Sequence, residues 1–186
     1  MTSIYHHSAI TRPPRNLRDL FLRDITSLLV TSRVIARSLE ALRPECEFSS
    51  EVTAEIDELI GTTAEGEVQV REPLNEAGMI LPPGDESAAM AQVVSFFTRL
   101  PAGAPSAVLA TEVVVNLRLL AQHLELKARL AAEEAMLVGQ KAISQALLRW
   151  ARSWCLCGEK LRAATVRTRV QACVADLQEP VATTAT

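Results

Sequence analysis

Apolar residues recur along this chain at alternating steps of three and four, in four long runs and one short one. That spacing lays one stripe along a helix of 3.6 residues per turn, and it does not fit a strand, whose side chains alternate with period two. The first run is Leu17, Phe21, Ile25, Leu28, position 32, Ile35, Leu39 and Leu42, predicting a helix from about Asn16 to Arg43. Asn16 can cap it, Asp19 follows three residues on, and Pro44 stops it. Position 32 is Ser, a gap in the stripe. A second helix is predicted from Ser49 or Ser50 to near Gly78. Its stripe is Val52, Ile56, Leu59 or Ile60, Thr63, Glu67, Val70 and Leu74, so two seam positions are polar and one is a carboxylate. Pro73 inside the pattern predicts a kink in the last turn, and "ILPPGD" reads as a turn.

A shorter helix, about Asp85 to Leu100, follows an Asp cap and carries Met90, Val93, Val94, Phe96 and Phe97. "PAGAP" breaks the chain again. The fourth helix runs from Pro105, a good first helical residue, to about Val138, with Gly139 just past its end. Its seam is Val113, Leu117, Leu120, Leu124, Ala128, Ala131 and Ala135, where the alanines permit close helix approach. Leu119, Leu126, Leu130 and Leu137 make a second apolar face. A helix apolar on two sides is either central or paired with another subunit. The last helix runs from about Gln140 to Asp176, with Gly158 the place where it could break. Its seam is Ile143, Leu147, Trp150, Trp154, Cys157 and Leu161. Four long helices with a short one in the middle connection predict an all-α four-helix bundle. The bundle occupies 16–178 as one domain, with disordered tails expected at 1–15 and 179–186.

Composition narrows what such a bundle can do. Hydrophobic residues are 48% of the 186 and charged residues 22%, which is globular, and with 4% aromatics the balance favours helix over sheet. Nineteen basic residues spread among twenty-two acids form no basic block, which argues against a nucleic-acid partner. The mildly basic stretch from Arg149 to Arg169 reads as a solvated helix face. "MTSIYHHSAITRPPR" has no apolar core of a signal peptide. The greasiest stretch, 107–121, is interrupted by Glu112, Asn116 and Arg118, so no membrane span and a cytoplasmic location are expected. The four cysteines, Cys46, Cys155, Cys157 and Cys173, are then expected to be reduced.

Five groups of residues could carry chemistry. Cys155 and Cys157 suggest a metal or redox pair, but residues two apart on a helix point about 200° apart and cannot grip one ion together. Zinc would need further partners at finger-like spacing, which the chain lacks. Cys157 therefore reads as a small buried hydrophobe and Cys155 as its edge neighbour. A Cys155–Cys173 disulfide would have to cross about 27 Å of continuous helix, which excludes it there. His123 and Glu125, with Asn116 on the same face as His123, could bind a metal or act as acid and base. The plainer reading is a helix-edge His with a hydrogen-bond partner. Glu133 and Glu134 read as a solvated pair, and His6 and His7 as incidental residues of a tail. Glu67 is the sharpest single lead, because a carboxylate on a buried seam needs an Arg, a shared proton or a metal. No phosphate-binding loop, dinucleotide fingerprint, nucleophile elbow or HExxH occurs.

Three stretches resemble one family. "NLRDLFLRDITSLL" looks like the start of the YciE/YciF family of bacterial, stress-associated ferritin-like proteins. "TAEGEVQVREPLNEAGMILPPGDESAAM" is similar to that family's second helix and the turn after it, and "GEKL" resembles the end of its last helix. The resemblance implies a ferritin-like bundle, in which carboxylates and histidines from four helices hold two metal ions. It also implies where the ligands would stand. The inward Glu of helix one falls at Ser32, the acid of helix two near Thr63, and its His or Gln at Glu67. The Glu of the third bundle helix matches Glu125, and the acidic pair of the last falls at Ser153 and Trp154. Two oxygen ligands remain where a di-iron centre wants about six protein ligands. Small residues on two helices facing an indole on a third read as volume compensation.

The sequence thus predicts a ferritin-like bundle without a metal centre or other cofactor, non-catalytic, structural or interacting, and a homodimer through helix faces. The competing expectation is a divergent metal-binding or oxidoreductase bundle that uses Glu67, Glu125 and His123 to hold iron or another divalent cation.

Overall fold

The computed structural model describes residues 14–42, 48–97 and 106–178. His6, His7, Cys46 and Pro105, and the two expected tails apart from Pro14 and Arg15, lie outside the described residues. Five helices account for nearly all of what is described: α1 (Leu17–Leu42), α2 (Ser50–Glu76), α3 (Glu86–Phe97), α4 (Ser106–Leu137) and α5 (Lys141–Gln178).

Local chemistry sets their ends. The Asn16 Oδ1 accepts the Asp19 amide at 2.9 Å, Ser49 accepts the Val52 amide, and Asp85 Oδ1 accepts the Ala88 amide at 2.9 Å. Each satisfies an amide that the first turn leaves without a partner. Gly139 closes α4 at φ +79°, a left-handed conformation that costs a side-chain-bearing residue and is free to glycine. α2 continues one turn beyond Pro73, whose carbonyl still accepts the Ala77 amide at 3.0 Å. α5 is unbroken through Gly158.

Cross-helix contacts fix the arrangement. Arg33 of α1 meets Glu67 of α2, while Lys160 and Arg167 of α5 meet Glu58 and Glu51 of α2, so α2 runs antiparallel to both neighbours. Lys127 of α4 reaches Ser27 of α1, and α4 turns back into α5 through 138–140. The helices therefore stand in the ring order α1, α2, α5, α4, each antiparallel to its neighbours, with α2 and α4 on a diagonal where they barely touch. A chain that goes down α2 must cross the bundle to start down α4. The long crossover that does this carries α3 along α1. The fold is an all-α bundle of four long helices with one long crossover, which carries a short helix in the middle connection.

The predicted seams form the core. Phe21, Ile25, Leu28, Ile35 and Leu39 of α1 are buried, as is the whole predicted seam of α4 and that of α5. Three expectations need correction. Leu17, on the first turn, is 39% exposed, with little of the bundle beyond it to cover it. On α3 the buried residues among those described are Ala89 and Val93, while Met90 and Val94 are nearly half exposed, since one narrow face meets α1; the side chains of Phe96 and Phe97 lie outside the described residues. On α2 the seam steps from Thr63 by three to Gly66, not by four to Glu67. The basic stretch of α5 is distributed over exposed positions, and three of its side chains pair with acids, Lys160 with Glu58, Arg162 with Glu159 and Arg167 with Glu51. Among the described residues no helix is long and apolar enough to cross a membrane.

Candidate functional site

In a bundle of this topology, chemistry sits where inward side chains of the four helices converge. Here that region is filled by buried side chains. Ser32 and Thr63 are buried, and each hydroxyl donates back to its own helix, to the Leu28 carbonyl at 2.8 Å and the Leu59 carbonyl at 2.9 Å. Each hydroxyl hydrogen is thereby engaged within its own helix. The large volume comes from α5: Trp150 and Trp154 are fully buried, one turn apart, with ring centroids 6.2 Å apart and planes tilted by 39°. That separation lies within the 4.5–7 Å range of interacting aromatic pairs.

Trp150 is seated by α2. Its indole N–H donates to the Thr62 carbonyl at 3.0 Å, which places the ring against the α2 backbone. Only a residue without a Cβ permits that approach. A Cβ built on Gly66 would overlap the Trp150 indole at Nε1, Cδ1 and Cε2. Thr62 and Gly66 lie one turn apart on the same face, so carbonyl and notch together form one receptor for the indole. Trp154 is different: its buried indole nitrogen has no acceptor among the described residues. An unmet donor in a core is costly, so packing must hold it there.

The three residues read as possible ligands are engaged separately. Glu67 sits at the rim, 17% exposed, and its carboxylate receives Arg33 of α1 at 2.9 Å and Arg71 of its own helix at 2.7 Å. Of the partners open to a shielded carboxylate, it has two guanidinium groups. Glu125 pairs with Arg129 one turn on, at 2.9 Å. The half-buried His123 hydrogen-bonds Gln92 of α3 at 2.7 Å. Burial, then the nearby Lys127 ammonium, hold its imidazole below the usual histidine range, which favours the neutral ring. Ser153 is exposed and bonds to the Arg149 carbonyl. Among the described residues no group of three or more His, Cys, Asp or Glu side chains could hold a metal ion. The six positions where the resemblance places ligands do not fit a metal pair: three are hydroxyls bonded to their own helix, one is an indole, and the two carboxylates, Glu67 and Glu125, are paired with arginines.

The cysteines follow the same logic. Cys157 is buried, and its sulfur lies 3.3 Å from the Thr62 hydroxyl. Burial pushes its thiol up, away from the reactive thiolate, against a smaller opposing effect of that hydroxyl. Cys155 is half-buried and Cys173 exposed, and all three are free.

Two features escaped sequence reasoning. Glu134 is not half of a solvated pair. It packs beside Asp24 of α1, and burial followed by that neighbouring carboxylate raise its pKa, while Glu133 remains exposed. The second is a groove of about 1120 Å³ between α1, the 80–85 segment and α3, lined by Leu22, Thr26, Leu81, Pro83, Ala88 and Gln92 among others. Gly84 lets that segment lie on α1, since a Cβ there would overlap Val30. "ILPPGD" signals the turn, but nothing in its composition signals a groove.

The Glu67 cluster has a measurable worth. Its arginines are 35% and 42% exposed, so solvent screens much of the attraction. Glu67→Gln is expected to lower stability by about 1 kcal/mol in urea denaturation, with the fold kept. A loss several times larger would show that the carboxylate organises more than these two guanidinium groups.

Compared with family models, with curated proteins and with solved structures, the chain matches none.

Proposed function

We propose that this protein is a ferritin-like bundle in which aromatic packing stands where a di-metal centre would be, and that it acts as a non-catalytic structural or interaction protein. The resemblance to the YciE/YciF family adds a stress-associated setting to this reading. The observation that carries it is the Trp150–Trp154 pair. Both indoles are fully buried, Trp150 lies against Gly66, and the hydroxyl residues Ser32 and Thr63 are buried in the same bundle core. Acidic ligands from four helices would need polar, hydrated space, and a close-packed apolar core has none to give.

The reading has a direct test. Protein given Fe(II) and oxygen is expected to show no ferroxidase activity and little bound metal by elemental analysis. Two irons per chain would overturn it in favour of a divergent oxidoreductase bundle drawing on Glu67, Glu125 and His123.

A further inference from the structure

The outer face of α4 carries five large apolar side chains that the bundle does not cover. Leu119, Leu126, Leu130, Met136 and Leu137 are each about half exposed or more, up to 72% at Leu137. Four of them are spaced by seven, four and seven residues, the step of a coiled-coil seam. A single exposed leucine is ordinary, but a continuous stripe on one helix marks an interaction surface.

The order of residues in this stripe says what fits it. About a midpoint at position 128 the stripe reads the same in both directions: Leu119 mirrors Leu137, Leu126 mirrors Leu130, and His123 mirrors Glu133. A second copy of the same helix, laid antiparallel, therefore sets leucine against leucine in four layers. In the remaining two it sets the His123 layer against Glu133 of the partner subunit. An isologous two-fold contact requires this kind of self-complementarity. The polar layers match as well. Glu133 is exposed and His123, hydrogen-bonded to Gln92, is half-buried, so these layers set an acid beside an imidazole and bring no two like charges together. At the edge, Arg129 is already neutralised by Glu125 of its own helix, so the two-fold does not bring bare like charges together. The stripe spans about 27 Å. Two such helices giving up their exposed apolar side chains bury on the order of 1,000 Å², the lower bound for a specific pair.

We infer that the outer face of α4 is a homodimer interface, with the two α4 helices antiparallel and their two-fold axis at the level of Ala128. The inference rests on the non-catalytic reading above only in naming what the bundle interacts with. Its test is separate from that of iron binding. Sedimentation equilibrium of the full chain is expected to show a monomer–dimer equilibrium in the micromolar range. Leu126→Glu, placed in a central layer on a side chain 57% exposed, is expected to weaken the dimer at least 30-fold while leaving the circular dichroism spectrum and melting temperature of the monomer unchanged. Orientation is read by cysteine cross-linking against the unaltered chain. Leu119→Cys combined with Leu137→Cys is expected to give an oxidised dimer, and Leu119→Cys alone is not. A monomer at all concentrations, a dimer indifferent to Leu126→Glu, or efficient cross-linking by Leu119→Cys alone would each overturn the inference. None of these outcomes bears on whether the bundle binds iron.

Discussion

Gly66→Ala is expected to destabilise the protein by about 3 kcal/mol, a large loss for the addition of one methyl group. The added Cβ would occupy the same space as three atoms of the Trp150 indole. The ring cannot back away without giving up its hydrogen bond to the Thr62 carbonyl, and the neighbouring Trp154 is itself fully buried. Overpacking a filled core costs about 1–3 kcal/mol, and the upper end applies because the clash is with a rigid bicycle. Gly61→Ala is the control. It lies on the same helix, and nothing stands within 4 Å of its missing Cβ. Alanine there is expected to raise stability by up to about 1 kcal/mol, through helix propensity and a less flexible unfolded chain. Urea denaturation followed by tryptophan fluorescence reads both. Opposite signs for two glycine-to-alanine changes five residues apart would establish that Gly66 is a packing notch. A neutral Gly66→Ala would show that the indole is not seated on the backbone as described.

Trp154→Ala is expected to cost about 3–5 kcal/mol, the range for emptying a large aromatic site in a core. The phenylalanine variants separate volume from polarity. Trp154→Phe removes part of the ring and also a buried N–H with no acceptor among the described residues. The second change offsets some of the first, because an unmet buried donor carries a desolvation cost of about 1–3 kcal/mol. Trp150→Phe removes similar volume but breaks a 3.0 Å hydrogen bond to Thr62. It is therefore expected to be the more damaging of the two by about 1 kcal/mol. Equal losses would mean that Trp154 Nε1 finds an acceptor in solution, such as a buried water. None of these variants is expected to alter metal content, since neither indole stands in for a ligand set that is otherwise complete.

The periodicity of apolar residues determined the helices, their order and most of the core, because burying one stripe per helix is a local property of spacing. Asn16, Ser49, Asp85 and Gly139 marked their ends for an equally local reason, the unpaired amides and carbonyls of a terminal turn. The stripe of leucines on α4 was also visible, and its palindromic order is a property of the sequence alone. What stayed ambiguous was every choice between steps of three and four where the residue was not apolar. On α2 the stripe could pass through Gly66 or Glu67, and hydrophobicity speaks for neither. Only the neighbour decided: Trp150, carried in from α5 eighty-four positions later, needs a place without a side chain, so Gly66 turns inward and Glu67 turns out to Arg33 and Arg71. The same holds for Glu134 against Asp24 and for the groove beside α1, which exist only because the crossover brings distant segments together. Local spacing specifies which residues can share a face. Which of them meets a partner depends on contacts between segments far apart in the chain, and those only the packed bundle determines.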